Sequence, residues 1–189
     1  ENTFEKIWYP RFTPDGKLTA ICQQDMEWAL NINDEMIGEA TDYIWDTLIS
    51  EDGSVVATMY KAEERYAIAI NGVPWEEVYE NVNQPTLSKD GAHSAGVAQV
   101  EKMDAADIEA FKRGVYTVVV DGKPWAGRYL NVWTPIFNDT GDSVAAQARV
   151  SVYENTIVVD DKPWAQTFNQ VWEPTFHPTN GSVAAPARQ

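Results

Sequence analysis

Along most of this chain, short runs alternate apolar and polar side chains with a period of two, and Gly, Pro, Asn and Asp punctuate them. Ser143-Val144-Ala145-Ala146-Gln147-Ala148-Arg149 is one such run. Successive side chains of a strand point to opposite faces, so this period, in runs rich in Val, Ile, Tyr, Phe and Trp, predicts β strands joined by tight turns. Asp15-Gly16, Asp52-Gly53, Asp90-Gly91 and Asn180-Gly181 are hairpin signals, because both turn residues must tolerate positive φ; Thr140-Gly141 fills the remaining place less well. Asn71-Gly72, Asp121-Gly122 and Asp160-Asp161 mark a second set of hairpins.

The pattern is written more than once. Tyr116-Thr117-Val118-Val119-Val120-Asp121-Gly122-Lys123-Pro124-Trp125 and Thr156-Ile157-Val158-Val159-Asp160-Asp161-Lys162-Pro163-Trp164 are each followed by Val-Trp-x-Pro-x-Phe and then, one or two residues beyond a Gly, by Val-Ala-Ala-x-Ala-Arg. The turn glycines Gly16, Gly53, Gly91, Gly141 and Gly181 step by 37, 38, 50 and 40 residues, a period near 40 that signals a repeat array. Each unit offers four strands. The first carries Pro-x-Phe (10–12, 135–137, 174–176), the second Val-Ala-Ala, the third an aromatic or Thr followed by apolar residues (66–70, 116–120, 156–159), and the fourth starts at Trp75, Trp125 or Trp164.

Four antiparallel strands at this period describe a propeller blade, and one such sheet buries its faces only by stacking on others around an axis. The expectation is an all-β chain, a single WD40-like β-propeller domain over 1–189 with repeats about 1–35, 36–74, 75–124, 125–163 and 164–189. That makes five blades, one incomplete. Phe4-Glu5-Lys6-Ile7-Trp8 aligns with Phe168-Asn169-Gln170-Val171-Trp172, so the N-terminus is expected to supply the outer edge of the last blade, whose third strand has no sequence. Three arrangements fit: a ring closed by a defective blade, a segment of a longer protein, or an edge supplied by a second chain through strand exchange or self-association. The 50-residue step holds a predicted short helix over 104–113, with Asp104 as N-cap and Lys112-Arg113 at its end.

With 14 basic and 29 acidic residues, the net charge of −15 repels nucleic acid and anionic lipid, and serves solubility or an acidic docking surface. No run approaches the ~20 apolar residues of a membrane helix, so direct membrane insertion is not expected. Cys22, the sole cysteine, lies in an apolar run and fits a reducing compartment; a cytoplasmic location is the expectation. His93 and His177 read as surface and turn residues, and no Cys/His cluster, nucleophile elbow or phosphate loop is present. No cofactor is expected.

The tryptophans stand out, eight in 189 residues. Trp8, Trp45, Trp133 and Trp172, with Asn83 in the fifth place, fall where one blade passes into the next; Trp75, Trp125 and Trp164 follow the Pro of the outer strand. Both sets suit wedges between blades. The first also suits an aromatic rim at the channel mouth, a hot-spot surface for a protein partner or a platform for a carbohydrate or other flat small molecule. Trp28 is ascribed to a third strand. Asp46, Glu76 and Glu173 lie near strand ends, and a propeller hydrolase or lyase would need two such acids on one cavity.

The unit Asp-Gly-Lys-Pro-Trp…Tyr-x-Asn-Val-Trp-x-Pro-x-Phe…Gly-x-x-Val-Ala-Ala-x-Ala-Arg resembles the TmcD family, the tryptophan-rich, WD40-like component of the Tmc transmembrane redox complex of sulfate-reducing bacteria. The resemblance is strong over 111–189 and weaker over 1–100. It implies a cofactor-free, non-catalytic assembly subunit whose partners carry heme or iron–sulfur centres, peripheral to the inner membrane through those partners. It singles out no site residue, because the shared motif also builds the blade.

Overall fold

The alternating runs pair in chain order. In the computed structural model, which describes residues 3–104 and 107–189, the first sheet is β1 (Lys6–Phe12), β2 (Leu18–Gln24), β3 (Glu27–Ile32) and β4 (Glu35–Thr41). The second is β5 (Tyr43–Ile49), β6 (Val56–Ala62), β7 (Arg65–Ile70) and β8 (Val73–Pro74). The third is β9 (Asn81–Leu87), β10 (Ser94–Gln99), β11 (Tyr116–Val120) and β12 (Lys123–Pro124), with helix α1 (Ile108–Arg113) between β10 and β11. In the fourth, a first strand split into β13 (Asn131–Val132) and β14 (Ile136–Phe137) pairs with β15 (Val144–Ser151), followed by β16 (Glu154–Val159) and β17 (Lys162–Pro163). A fifth unit is a hairpin only: β18 (Gln170–Val171) pairs with β21 (Ala187–Arg188), and β19 (Thr175–Phe176) with β20 (Val183–Ala184). All pairings among the described residues are antiparallel, and those residues form a β-propeller of four complete blades and one partial blade.

The second and third strands are small and apolar because neighbouring blades cover both their faces. Val144, Ala145, Ala146 and Ala148 of β15 are all buried, as are Ala95, Val97 and Ala98 of β10. The third-to-fourth turn is locked the same way in each complete blade. Asn33, Asn71, Asp121 and Asp160, at φ between 46° and 49°, accept the backbone N–H of Leu18, Val56, Ser94 and Val144, each at 2.8 Å. Their own N–H groups donate back to the carbonyls of those same residues. The first-to-second loops differ from the expected two-residue turns: Gly16, Gly53, Gly91 and Gly141 alone take the left-handed conformation. A hydroxyl does the rest, Thr13, Ser50 and Ser88 accepting from the N–H of Lys17, Val55 and His93 at 2.9, 3.0 and 2.9 Å.

Consecutive blades meet where the first strand of one lies on the third strand of the blade before. Ile44, Val82, Val132 and Val171 occupy this joint at 3%, 1%, 0% and 1% exposure. Ile7, the same position in the first blade, is 55% exposed, because among the described residues no third strand packs on it. Gly38 of β4 approaches the Asn71-Gly72 turn so closely that a Cβ there would stand 2.2 Å from the Gly72 carbonyl oxygen.

Four sequence expectations are corrected. The segment from Lys6 to Trp8 is not an outer edge of the last blade: Lys6, Ile7 and Trp8 oppose Gln23, Cys22 and Ile21 within the first. Its alignment with 168–172 holds for a different reason, since Gln170 and Val171 also start the first strand of their own blade. The first blade runs to Thr41 rather than about 35, because β4 pairs with β3. The fourth strands begin before the tryptophan rather than at it, as two-residue strands continued by single bridges from Tyr79, Tyr129 and Phe168. Finally, Asp107 rather than Asp104 caps α1, accepting the N–H of Ala110 at 2.9 Å; residues 105–106 of the expected helix lie outside the described residues.

Candidate interaction face

Strand β1 carries Trp8 and β5 carries Trp45, each just before a break in register with the second strand. At that break Tyr9 and Asp46 sit at φ 51° and 57°, and Gln84 holds the same place in the third blade at 52°. Such a bulge re-aims the side chains beside it. Here the result is an aromatic row across two blades. Trp28 of β3 packs 4.2 Å from Trp8, and both meet Tyr43 edge-on at 5.6 and 5.8 Å. Tyr43 stacks on Trp45 at 5.5 Å, and Trp45 meets Tyr66 edge-on at 6.0 Å.

The row opens into a cleft of about 670 Å³ walled by the rings of Tyr9, Tyr43, Trp45 and Tyr66 and by Asp42, Lys61 and Glu64. A second hollow of about 530 Å³, between Ile7, Trp8, Tyr9 and Tyr43, adjoins it. Lys61 Nζ donates to Glu64 Oε1 at 2.8 Å and lies 5.7 Å over the Tyr66 ring; that bond raises its pKa above the ordinary lysine value. Asp42 Oδ2 accepts the N–H of Glu63 at 2.8 Å.

The expected rim of four tryptophans is thus divided. Trp8 and Trp45 belong to the row, Trp133 lies half-buried with the Arg149 guanidinium 5.8 Å over its ring, and Trp172 is exposed on the partial blade. Of the other set, Trp75 is buried between the second and third blades, its indole N–H donating to Ser94 Oγ at 3.0 Å. Trp125 is half-buried in a hollow it shares with Val144, Asp160 and Asp161 of the fourth blade, and Trp164 is half-buried. Trp28 lies in a third strand, as read from the sequence, and is buried.

Asp46 accepts the N–H of Thr47 and stands 4.0 Å from Arg11, while Glu76 and Glu173 are exposed on separate blades. The carboxylates that share the cleft are instead Asp42 and Glu64, both exposed. His93 Nδ1 is 2.7 Å from Asp121 Oδ2, and His177 Nδ1 accepts the N–H of Thr179. Cys22 is buried, which pushes its thiol pKa up. Among the described residues no group of three His, Cys, Asp or Glu side chains is placed to hold a metal, and no helix is long and apolar enough to cross a membrane. Sequence reasoning missed Tyr9, Tyr43 and Tyr66. The signal for Tyr66 was available, since Trp28, Tyr66 and Tyr116 hold one place in successive third strands.

No protein-family model matches the sequence, and no curated protein does. Among solved structures the chain is similar to the Dos1 propeller, at 9% identity and a TM-score of 0.47, over 98% of this chain and 55% of that one. It is also similar to a putative TolB from Agrobacterium tumefaciens, at 14% identity and a TM-score of 0.34, over 86% of this chain and 80% of that one. The chain therefore spans about half the length of the Dos1 propeller it matches.

Proposed function

We propose that this protein is a non-catalytic interaction propeller that docks a partner protein on the face between its first two blades. The observation that carries this is the aromatic row Trp28, Trp8, Tyr43, Trp45, Tyr66, which ends in an open cleft. Interface hot spots are built from Trp and Tyr set in such concavities. Two exposed carboxylates argue against acid–base work there, since a catalytic acid kept protonated near neutrality needs burial or an uncompensated like charge. Glu64 is instead held by Lys61.

The finer assignment rests on the repeat motif. Its resemblance to the TmcD family supports a role as an accessory subunit of a bacterial membrane-associated electron-transfer complex, with heme- or iron–sulfur-bearing partners. The test is affinity purification from the native host with crosslinking. The reading expects a redox subunit crosslinked near Tyr9 and Tyr66, and its loss with Tyr66→Ala. A protein recovered alone, whose melting temperature and Trp45 environment respond to a saccharide, replaces it with a carbohydrate-binding propeller.

A further inference from the structure

We infer that the cleft between the first two blades takes an arginine side chain of the docked partner, stacked on the ring faces of Tyr9 and Tyr43 and paired with the Asp42 carboxylate. This rests on the docking reading above and names the chemistry it needs. The molecule shows what its aromatic positions accept. Lys6 Nζ lies 5.7 Å over Trp28, Lys61 Nζ 5.7 Å over Tyr66, and Arg149 Cζ 5.8 Å over Trp133. Cations therefore cover this class of ring in the first, second and fourth blades. The repeat allows one comparison in matched register: Arg149 opposes Asn131 across β15 and β13, as Lys61 opposes Tyr43 across β6 and β5. In the fourth blade the cation reaches the first-strand tryptophan. In the second, Lys61 is drawn to Glu64, and among the described residues no cation lies over Tyr9, Tyr43 or Trp45.

The charge around these rings is negative. Lys61 is the one cation lining the cleft among the described residues, and Glu64 neutralises it. Asp42, whose charge also acts on Lys61, holds the Glu63 N–H with one oxygen and has lone pairs left to accept more. A planar guanidinium lies flat on an aromatic face and binds a carboxylate through two N–H groups at once; an ammonium, as Lys61 does with Tyr66 and Glu64, can cover a ring and pair with an acid but offers neither the flat stack nor the two-pronged bond. Tyr9 stands at the first-strand bulge, the place Asp46 and Gln84 hold in the next two blades. Its half-exposed ring lines both hollows.

The test uses N-acetyl-arginine methylamide and its lysine and citrulline counterparts, with NMR of the Trp45 indole N–H as readout. A saturable shift is expected with arginine, weaker by about fivefold or more with lysine, and absent with neutral citrulline. Asp42→Asn, which keeps an acceptor for Glu63, should weaken arginine binding by about fivefold or more, and Glu173→Gln should leave it unchanged. An equal response to citrulline, or an unaffected Asp42→Asn protein, overturns the inference. If a native partner crosslinks to Tyr9 and Tyr66 while arginine leaves Trp45 unmoved, the arginine assignment fails and docking stands. If arginine binds but no partner contacts this face, the docking reading fails and only the cleft's preference for a guanidinium stands.

Discussion

The hydroxyl of Tyr79, in the second blade, donates to the carbonyl oxygen of Gly122, in the third, at 2.6 Å and 43 residues' separation. Burial, and then the nearby Glu77 carboxylate, push the Tyr79 pKa well above its ordinary value of 10.0; burial raises Tyr129 likewise. The fold thus favours the neutral phenols. Their contribution is complete below pH 10 and is lost as pH rises toward the folded-state values. Melting temperature is expected to fall above pH 10, and Tyr79→Phe to reduce that fall while costing about 1–2 kcal/mol at neutral pH. A Tyr79→Phe protein with an unchanged alkaline profile would refute the assignment.

The acid limb has the opposite sign. Asp52 is held at about 2, first by the N–H of Ser54 and then by the hydroxyls of Ser50 and Ser54; the Lys17 ammonium and then the Thr13 hydroxyl lower Asp15, the Ser88 hydroxyl lowers Asp90, and the Asn138 amide lowers Asp142. Each stabilises the fold above the usual 3.8 and loses that effect as pH falls through its lowered value. Stability should therefore drop between about pH 4 and pH 2, less steeply in Asp52→Asn; acid titration followed by circular dichroism checks this.

Ile44 and Ile7 hold one repeat position in opposite surroundings, 3% and 55% exposed. Ile44→Ala removes a side chain clamped between blades and should cost about 2–4 kcal/mol, whereas Ile7→Ala should stay within about 0.5 kcal/mol. Urea unfolding of both variants decides the matter. Equal losses would mean that the first blade's leading face is covered in solution.

Gly38 and Gly16 separate packing from conformation. Both have strongly positive φ, 81° and 87°, but a Cβ at Gly38 would strike the Gly72 backbone while one at Gly16 meets nothing within 4 Å. Gly16→Ala should cost about 1–2 kcal/mol from its left-handed backbone alone. Gly38→Ala should cost clearly more, read as a larger drop in the urea midpoint.

The strand-and-turn framework was legible because it is local. Asn71-Gly72, Asp121-Gly122 and Asp160-Asp161 are third-to-fourth hairpins as read, and the insertion between β10 and β11 is helical. The Asn33-Asp34 turn escaped notice, since it lacks both glycine and the Lys-Pro-Trp sequence that marks Asp160-Asp161 as a copy of Asp121-Gly122; both its residues have positive φ. Trp8 and Trp45 were legible as a repeated set, but their neighbours in the cleft were not. Tyr9 is brought to Tyr43 by the stacking of the first two blades and Tyr66 to Trp45 by pairing within the second, and neither distance is written in local spacing.

Period, turn chemistry and the Val-Ala-Ala strands determined a propeller from sequence alone, because alternation and positive-φ preferences act within a few residues. Which strand the N-terminus joins, and which tryptophans are buried, only the tertiary structure decided. Trp75 and Trp164 hold the same place, after the Pro of the fourth strand. Trp75 is buried against the complete third blade, and Trp164, followed by a partial blade that is a hairpin only, is half-buried. Burial in a repeat array is a property of the neighbour, and the neighbour is not encoded at the residue that depends on it.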